Sequence, residues 1–235
     1  MPTKIQAPAP SAFIDEVLES SPRLAVFDCD GTLWEGDSGS GFFFWEMEEG
    51  LLSPERAAWA RERYSQYKAG IVDEYTICAE MVTVHDGLPV ERIRRMAARY
   101  MEEFLPKHIF PEMQRLTEQL AKAGTEIWAV SSTCDWVVEE GAKRFGIPAS
   151  RILAACVEET PEGLASAKVV RVPTDELKAT AIQEAIARPV DAVFGNSVHD
   201  LAMLELAAKP YAISPTEELK SQAAERGWRI YLPTL

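Results

Sequence analysis

Basic residues are scarce and nowhere clustered: 24 Lys and Arg stand against 37 Asp and Glu in 235 residues, a net charge of −13 at pH 7. Without a basic footprint, a nucleic acid or an anionic membrane surface is excluded as a partner. No segment approaches the ~18 consecutive apolar residues of a membrane span. The opening MPTKIQAPAPSAF has no apolar stretch suited to a secretory leader. Cysteine is confined to Cys29, Cys78, Cys134 and Cys156, widely scattered and without a CxxC pair. That spacing excludes a zinc site and a disulfide framework, and it points to a reducing, cytoplasmic compartment with the thiols as small buried hydrophobes. An acidic chain can still take an anionic small substrate if a bound cation or a placed lysine inverts the field locally.

What is present is the balance of an ordinary globular protein, 47% hydrophobic and 26% charged, long enough for one large domain or a core with a smaller insert. Residues 1–10 are Pro- and Ala-rich and read as loose; residues 11–20 read as a short helix capped by Ser11. Arg23-Leu-Ala-Val-Phe-Asp28 is a short apolar run ending in a carboxylate, the pattern of a buried parallel strand. From about residue 40 to 105 the pattern is helical, with a start at Ser53-Pro54-Glu55 and turns near Gly50, Gly70 and Asp86-Gly87-Leu88-Pro89. That predicts an insert of roughly four helices.

After Pro106 strands and helices alternate. The predicted elements are helix 111–123 closed by Gly124, strand 125–130, helix 135–145 closed by Gly146 and strand 151–157. A turn-rich excursion around Pro161-Glu162-Gly163 follows, then helix 174–187, strand 190–194, helix 200–208 and a last strand near 228–232. Such alternation predicts a doubly wound parallel sheet with ligands outside the carboxyl ends of its strands. Three predicted strands lead directly into Asp28, Ser131 and Asn196.

Asp28-Cys29-Asp30-Gly31-Thr32 carries the strongest signal. Two carboxylates lie two residues apart where the chain leaves a sheet, Gly31 permits a sharp departure, and the Thr32 hydroxyl can donate to a phosphate oxygen. Ser131 and Ser132, between a strand and a helix, offer hydroxyls and backbone N–H groups as an anion cradle. Lys178 sits early in a helix, where a cation opposes the helix dipole, and its place after Asp28 and Ser131 and before Asn196 is what singles it out. In Gly195-Asn196-Ser197-Val198-His199-Asp200, carboxylate, amide and carbonyl oxygens suit a hard cation such as Mg²⁺. His199 reads as a polar residue at a helix start.

The segments AVFDCDGTLWEGDS, EIWAVSSTCDWVV, ELKATAI and VFGNSVHDLAML, in that order, resemble the haloacid-dehalogenase superfamily of phosphatases, and the helical insert resembles the phosphoserine phosphatase branch. The resemblance implies a Rossmann-like α/β core (residues 1–35 and 106–235) with a helical cap (36–105). It implies hydrolysis of a small phosphate monoester, with Asp28 as the nucleophile that forms an aspartyl-phosphate and Asp30 as general acid and then base. Thr32, Ser131, Ser132 and Lys178 would hold the phosphoryl group; Asp28, Asp30, Asn196 and Asp200 would hold Mg²⁺.

Two departures qualify it. Asn196 stands where the family usually has Asp, and the cap stretch Ile77–Met81 offers Glu80 but no Arg to grip a substrate carboxylate. Asp37, Glu80 and the aromatic run Phe42-Phe43-Phe44-Trp45 could face an amine instead, a layout similar to phosphorylcholine phosphatases. The expected substrate is therefore an amino-alcohol phosphate such as phosphoserine or phosphocholine. The alternative is a phospho-ligand binding or regulatory protein with a weakened site.

Overall fold

A computed structural model describes residues 10–235, and the reading of the opening residues lies outside them up to residue 9. Seven strands form one sheet: β1 (Leu24–Phe27), β2 (Glu126–Cys134), β3 (Ile152–Glu159), β4 (Ala165–Arg171), β5 (Val190–Gly195), β6 (Ala207–Ile213) and β7 (Arg229–Tyr231), in the order β4-β3-β2-β1-β5-β6-β7. Neighbours are parallel except β3 and β4, which pair antiparallel. The helices are α1 (Pro10–Glu19), α2 (Ser38–Glu48), α3 (Pro54–Lys68), α4 (Glu74–Thr83), α5 (Val90–His108), α6 (Pro111–Lys122), α7 (Asp135–Ala142), α8 (Glu176–Ala185), α9 (Leu201–Leu204) and α10 (Glu217–Arg226).

All four residues of β1 are buried, because helices cover both faces of the sheet. Ala25 and Phe27 pack in one core with Phe13 of α1, Met113 and Leu116 of α6 and Val137 of α7. Leu24 and Val26, pointing the other way, join Ile182 of α8, Met203 of α9 and Leu219 of α10. Helices α2–α5 lie between β1 and α6 in sequence and have a smaller core of their own around Phe43, Met47, Leu52, Ala60 and Val84. All four cysteines are free and buried, and burial is the main cause pushing their thiols up, as inert small hydrophobes require. No described helix is long and apolar enough to cross a membrane.

The structure corrects the predicted elements at four places. The excursion after β3 is a strand, β4, so the sheet is mixed rather than all-parallel. The predicted helix 200–208 is only a 3₁₀ turn (Val198–Asp200) and the four residues of α9, after which Ala207 begins β6. Pro210 hid that strand, because proline cannot donate to a ladder. It is tolerated because β7 pairs with β6 only from Tyr211 onward. Helix α10 follows β6 and went unpredicted. Helix α5 continues through Pro106 to His108, the missing proline N–H leaving one i→i−4 bond unmade only two residues from the helix end.

Candidate active site

The carboxyl ends of β2, β1 and β5, adjacent in the sheet, deliver Ser131, Asp28 and Asn196 to one place, on either side of the point where the strand order reverses. Asp28 still belongs to the sheet edge, its N–H donating to Phe194 O at 2.9 Å. The chain then folds under itself: Thr32 and Leu33 N–H groups donate to Cys29 O at 3.1 and 2.8 Å, with Gly31 at φ +75°. A Cβ on Gly31 would lie 1.9 Å from Asn196 Nδ2. Left-handed backbone and close approach therefore both require glycine here. Gly31→Ala is expected to cost at least about 1 kcal/mol in chemical denaturation and to displace the Asn196 loop. A variant as stable and as active as the parent would contradict this packing.

Lys178 Nζ, buried, sits between two carboxylates, 2.7 Å from Asp28 Oδ1 and 2.5 Å from Asp200 Oδ1. Burial disfavours its charge, but Asp200 and Asp28 outweigh burial and hold the ammonium well above an ordinary lysine. Burial, helped by the Asp200 charge, pushes Asp28 up to about 7 against the pull of Lys178. The Thr32 hydroxyl donates to Asp28 Oδ2 at 2.9 Å. Asp30 accepts three hydrogen bonds: Trp34 Nε1 at 2.6 Å and Ser38 N–H at 2.7 Å on Oδ1, and the Thr133 hydroxyl at 2.7 Å on Oδ2. Burial, then the neighbouring Asp37, raises Asp30, while the donors from Ser38 and Thr133 oppose the shift. Register slips between Ser131 and Cys134 against β3, so Ser132 and Thr133 buckle out of the ladder. That bulge is what turns Thr133 onto Asp30.

These groups open into a cavity of about 220 Å³ between the sheet end and α2–α4, lined on the sheet side by Asp28, Asp30, Ser131, Ser132, Lys178 and Asn196. Residues 25–205 match the family model of haloacid dehalogenase-like hydrolases.

The chain belongs to the haloacid dehalogenase-like hydrolase family.

A histidinol-phosphatase of Neisseria meningitidis serogroup C is 25% identical over 218 residues, 88% of this chain and 97% of the relative. Among solved structures, a Bordetella pertussis Tohama I protein of unknown function has a TM-score of 0.77 at 22% identity, covering 89% of this chain and 97% of its own. A substrate-bound phosphoserine phosphatase has a TM-score of 0.57 at 17% identity, covering 89% and 92%. At these identities the structural likeness is one of fold.

In this hydrolase, three residues singled out from sequence fall differently than expected. Asp200 is fully buried behind the cavity. Its Oδ1 is taken by Lys178, and its Oδ2 accepts the Asn196 and Ser197 N–H groups at 2.8 and 2.9 Å. With both oxygens engaged, it positions Lys178 and the Asn196 loop rather than presenting itself as a ligand. Thr32 is also fully buried and spends its hydroxyl on Asp28, not on a phosphate oxygen. Glu80 lies off the cavity, clamped by Arg63 through Nε (3.0 and 2.9 Å) and an NH2 contact of 2.8 Å. A glutamate that satisfies a guanidinium on the next helix has little left for a ligand. Asp37 does line the cavity, as the N-cap of α2, accepting the Ser40 N–H at 2.8 Å.

The cap wall also holds residues that sequence reasoning passed over: Glu46 of α2, Tyr64 and Tyr67 of α3, and Glu74 of α4. Tyr67 donates to Glu74 Oε2 at 2.5 Å. His199 links the two sides, with Nδ1 2.7 Å from Asp175 Oδ1 and Nε2 4.0 Å from Glu74 Oε2. Glu46, following the aromatic run, is the one with a legible signal, a charge directly against an apolar stretch near the end of α2. It is fully buried, and its Oε2 lies 2.7 Å from His85 Nε2. His85 Nδ1 lies 3.1 Å from Val82 O, an acceptor, so Nδ1 carries a proton and a second is shared between Nε2 and Oε2. Burial raises Glu46 against the pull of His85; burial lowers His85, but Glu46 more than reverses this. Oε1 of Glu46 is buried with no hydrogen-bond partner among the described residues. Leaving such an acceptor unmet costs about 1–3 kcal/mol.

Proposed function

We propose that this protein is a Mg²⁺-dependent phosphomonoesterase acting on a small amino-alcohol phosphate through an aspartyl-phosphate on Asp28. The observation that carries the reading is the pairing of Asp28, tied to buried Lys178, with Asp30, held by three donors at the mouth of the same cavity. One carboxylate is positioned to attack and the other to move a proton, which is what two-step phosphoryl transfer needs. An Asp28 oxygen attacks phosphorus as the bond to the ester oxygen breaks, and protonated Asp30 gives its proton to the departing alcohol. Ionised Asp30 then takes a proton from water, whose oxygen attacks phosphorus; the Asp28–phosphorus bond breaks and inorganic phosphate leaves. Lys178 and the Ser131–Ser132 segment hold the phosphoryl oxygens.

Mg²⁺ would be held by the Asp28 carboxylate, the Asp30 backbone carbonyl and the Asn196 amide oxygen, a set of hard oxygen donors that suits it. When bound, it supplies positive charge against the phosphoryl oxygens. With one carboxylate beside a backbone carbonyl and an amide oxygen, the set carries little negative charge, and affinity follows ligand charge. Asn196→Asp is expected to lower the Mg²⁺ concentration for half-maximal activity about tenfold, since affinity follows ligand charge. A Mg²⁺ titration with identical midpoints for both proteins would refute this.

The substrate reading rests on the cavity's charge. Asp37, Glu46 and Glu74 line it beside Tyr64 and Tyr67, with Lys178 as its one ammonium and no lining arginine among the described residues. Aromatic faces and carboxylates hold ammonium groups, whereas a substrate carboxylate would find no guanidinium or ammonium among the lining residues of α2–α4. The name of the Neisseria relative points the same way, histidinol phosphate being an amino-alcohol ester without a carboxylate. The test is phosphate release from amine-bearing, carboxylate-bearing and neutral esters, with Mg²⁺ and with EDTA. Metal-dependent release that favours amines supports the reading. Esters that stabilise the protein without being hydrolysed would establish the binding-protein alternative, which Asn196 alone favours.

A further inference from the structure

Resting on that reading, we infer that Glu46 is a specificity-determining residue whose free oxygen takes an N–H donor at the far end of the substrate's alcohol portion. Glu46 lines the cavity although it is fully buried. Its Oε2 is committed to His85, which is not part of the cavity wall, so Oε1 is the oxygen left for the cavity. Oε1 has no hydrogen-bond partner among the described residues, and the hold of His85 on Oε2, itself braced by Val82 O, keeps the carboxylate from turning to find one. A carboxylate held this rigidly, with one unpartnered acceptor on a residue that lines the cavity, is a preformed site for a cationic or neutral N–H group.

The position along α2 separates this site from Asp37. Nine residues of helix place the two backbones about 13 Å apart along the axis, and the Glu46 side chain leans back toward the helix N-terminus and so toward the phosphate end. Asp37, capping the helix beside Asp30, is placed for an ammonium close to the phosphate. Glu46 serves a donor further out, past Phe42 and Phe43, which line the intervening wall. The ligand class is a phosphate monoester with a nitrogen donor several bonds beyond its ester oxygen.

The probes are ω-aminoalkyl phosphates of increasing length, each matched with the neutral n-alkyl phosphate of the same length. Turnover is read on wild type, Glu46→Gln and Glu46→Asp; binding is read by thermal shift on Asp28→Asn, where no turnover is needed. Wild type is expected to prefer the longer amines over their neutral partners at least about tenfold, as a hydrogen bond to a charged group allows. Glu46→Gln is expected to lose about ten- to a hundredfold in kcat/KM on those amines and under about threefold on neutral or short esters. Glu46→Asp should keep the amine preference and move its optimum to a longer ester. Equal losses on amine and neutral esters would make Glu46 a purely structural residue and overturn the inference. So would a wild type without amine preference, or an optimum unmoved in Glu46→Asp, two outcomes that decide even if Glu46→Gln fails to fold. Amine-selective thermal shifts with no hydrolysis of any ester would instead leave this site standing and count against the phosphatase reading.

Discussion

Asp28→Asn is expected to fold as the parent does and to release phosphate about 10³- to 10⁴-fold more slowly on every ester the parent accepts. The loss is large because the amide has no nucleophilic oxygen to offer and the two-step route disappears with it. The fold survives because the exchange is mild for the structure. Burial and Asp200 already disfavour the Asp28 charge, pushing it up to about 7, and an amide oxygen can still accept from Lys178, with the amide nitrogen toward the Thr32 hydroxyl. Acid quench of the parent with a labelled ester should trap phosphoryl on protein, and the variant should trap none. A variant retaining a tenth of parental activity would remove Asp28 from the nucleophile's role.

Lys178→Met should be more damaging to stability than Asp28→Asn, by about 3–5 kcal/mol in urea denaturation, besides abolishing turnover. Removing the ammonium leaves Asp28 and Asp200 buried together without a counter-charge. The double variant Asp28→Asn, Lys178→Met should recover part of the loss, since one of the two stranded charges is gone, so the single effects will not add. Additive losses, or a Lys178→Met protein as stable as the parent, would show that the three groups do not act as a unit. The prediction also opposes local reasoning: a lysine near a helix N-terminus is unfavourable by a few tenths of a kcal/mol, so helix α8 taken alone would gain from the change.

Lys178 marks the boundary between what the chain states locally and what it does not. The sequence by itself determined the α/β core, the four-helix insert and the DCDGT carboxylate pair at a strand end, because each is written in a local pattern. Those patterns are an apolar run closed by polar residues, helical spacing with caps and turn glycines, and two carboxylates two residues apart. It also put Asp28, Ser131, Lys178 and Asn196 in the right chain order, and the sheet topology carries them to a shared cavity. Strand β4 was illegible because an edge strand with only Ala165 buried, and with Lys168 and Arg171 in it, lacks the buried-strand pattern. Strand β6 was illegible because the break it makes in the ladder at Pro210 is harmless only where β7 has not yet begun to pair. The uses of the polar residues were decided by tertiary structure alone. Whether Glu80 meets a ligand depends on Arg63, 17 residues away; whether Asp200 meets a metal depends on Lys178; and whether Glu46 is open depends on His85, 39 residues on. A carboxylate's free valence is set by its partners, and partners so distant in sequence meet only when the chain has folded.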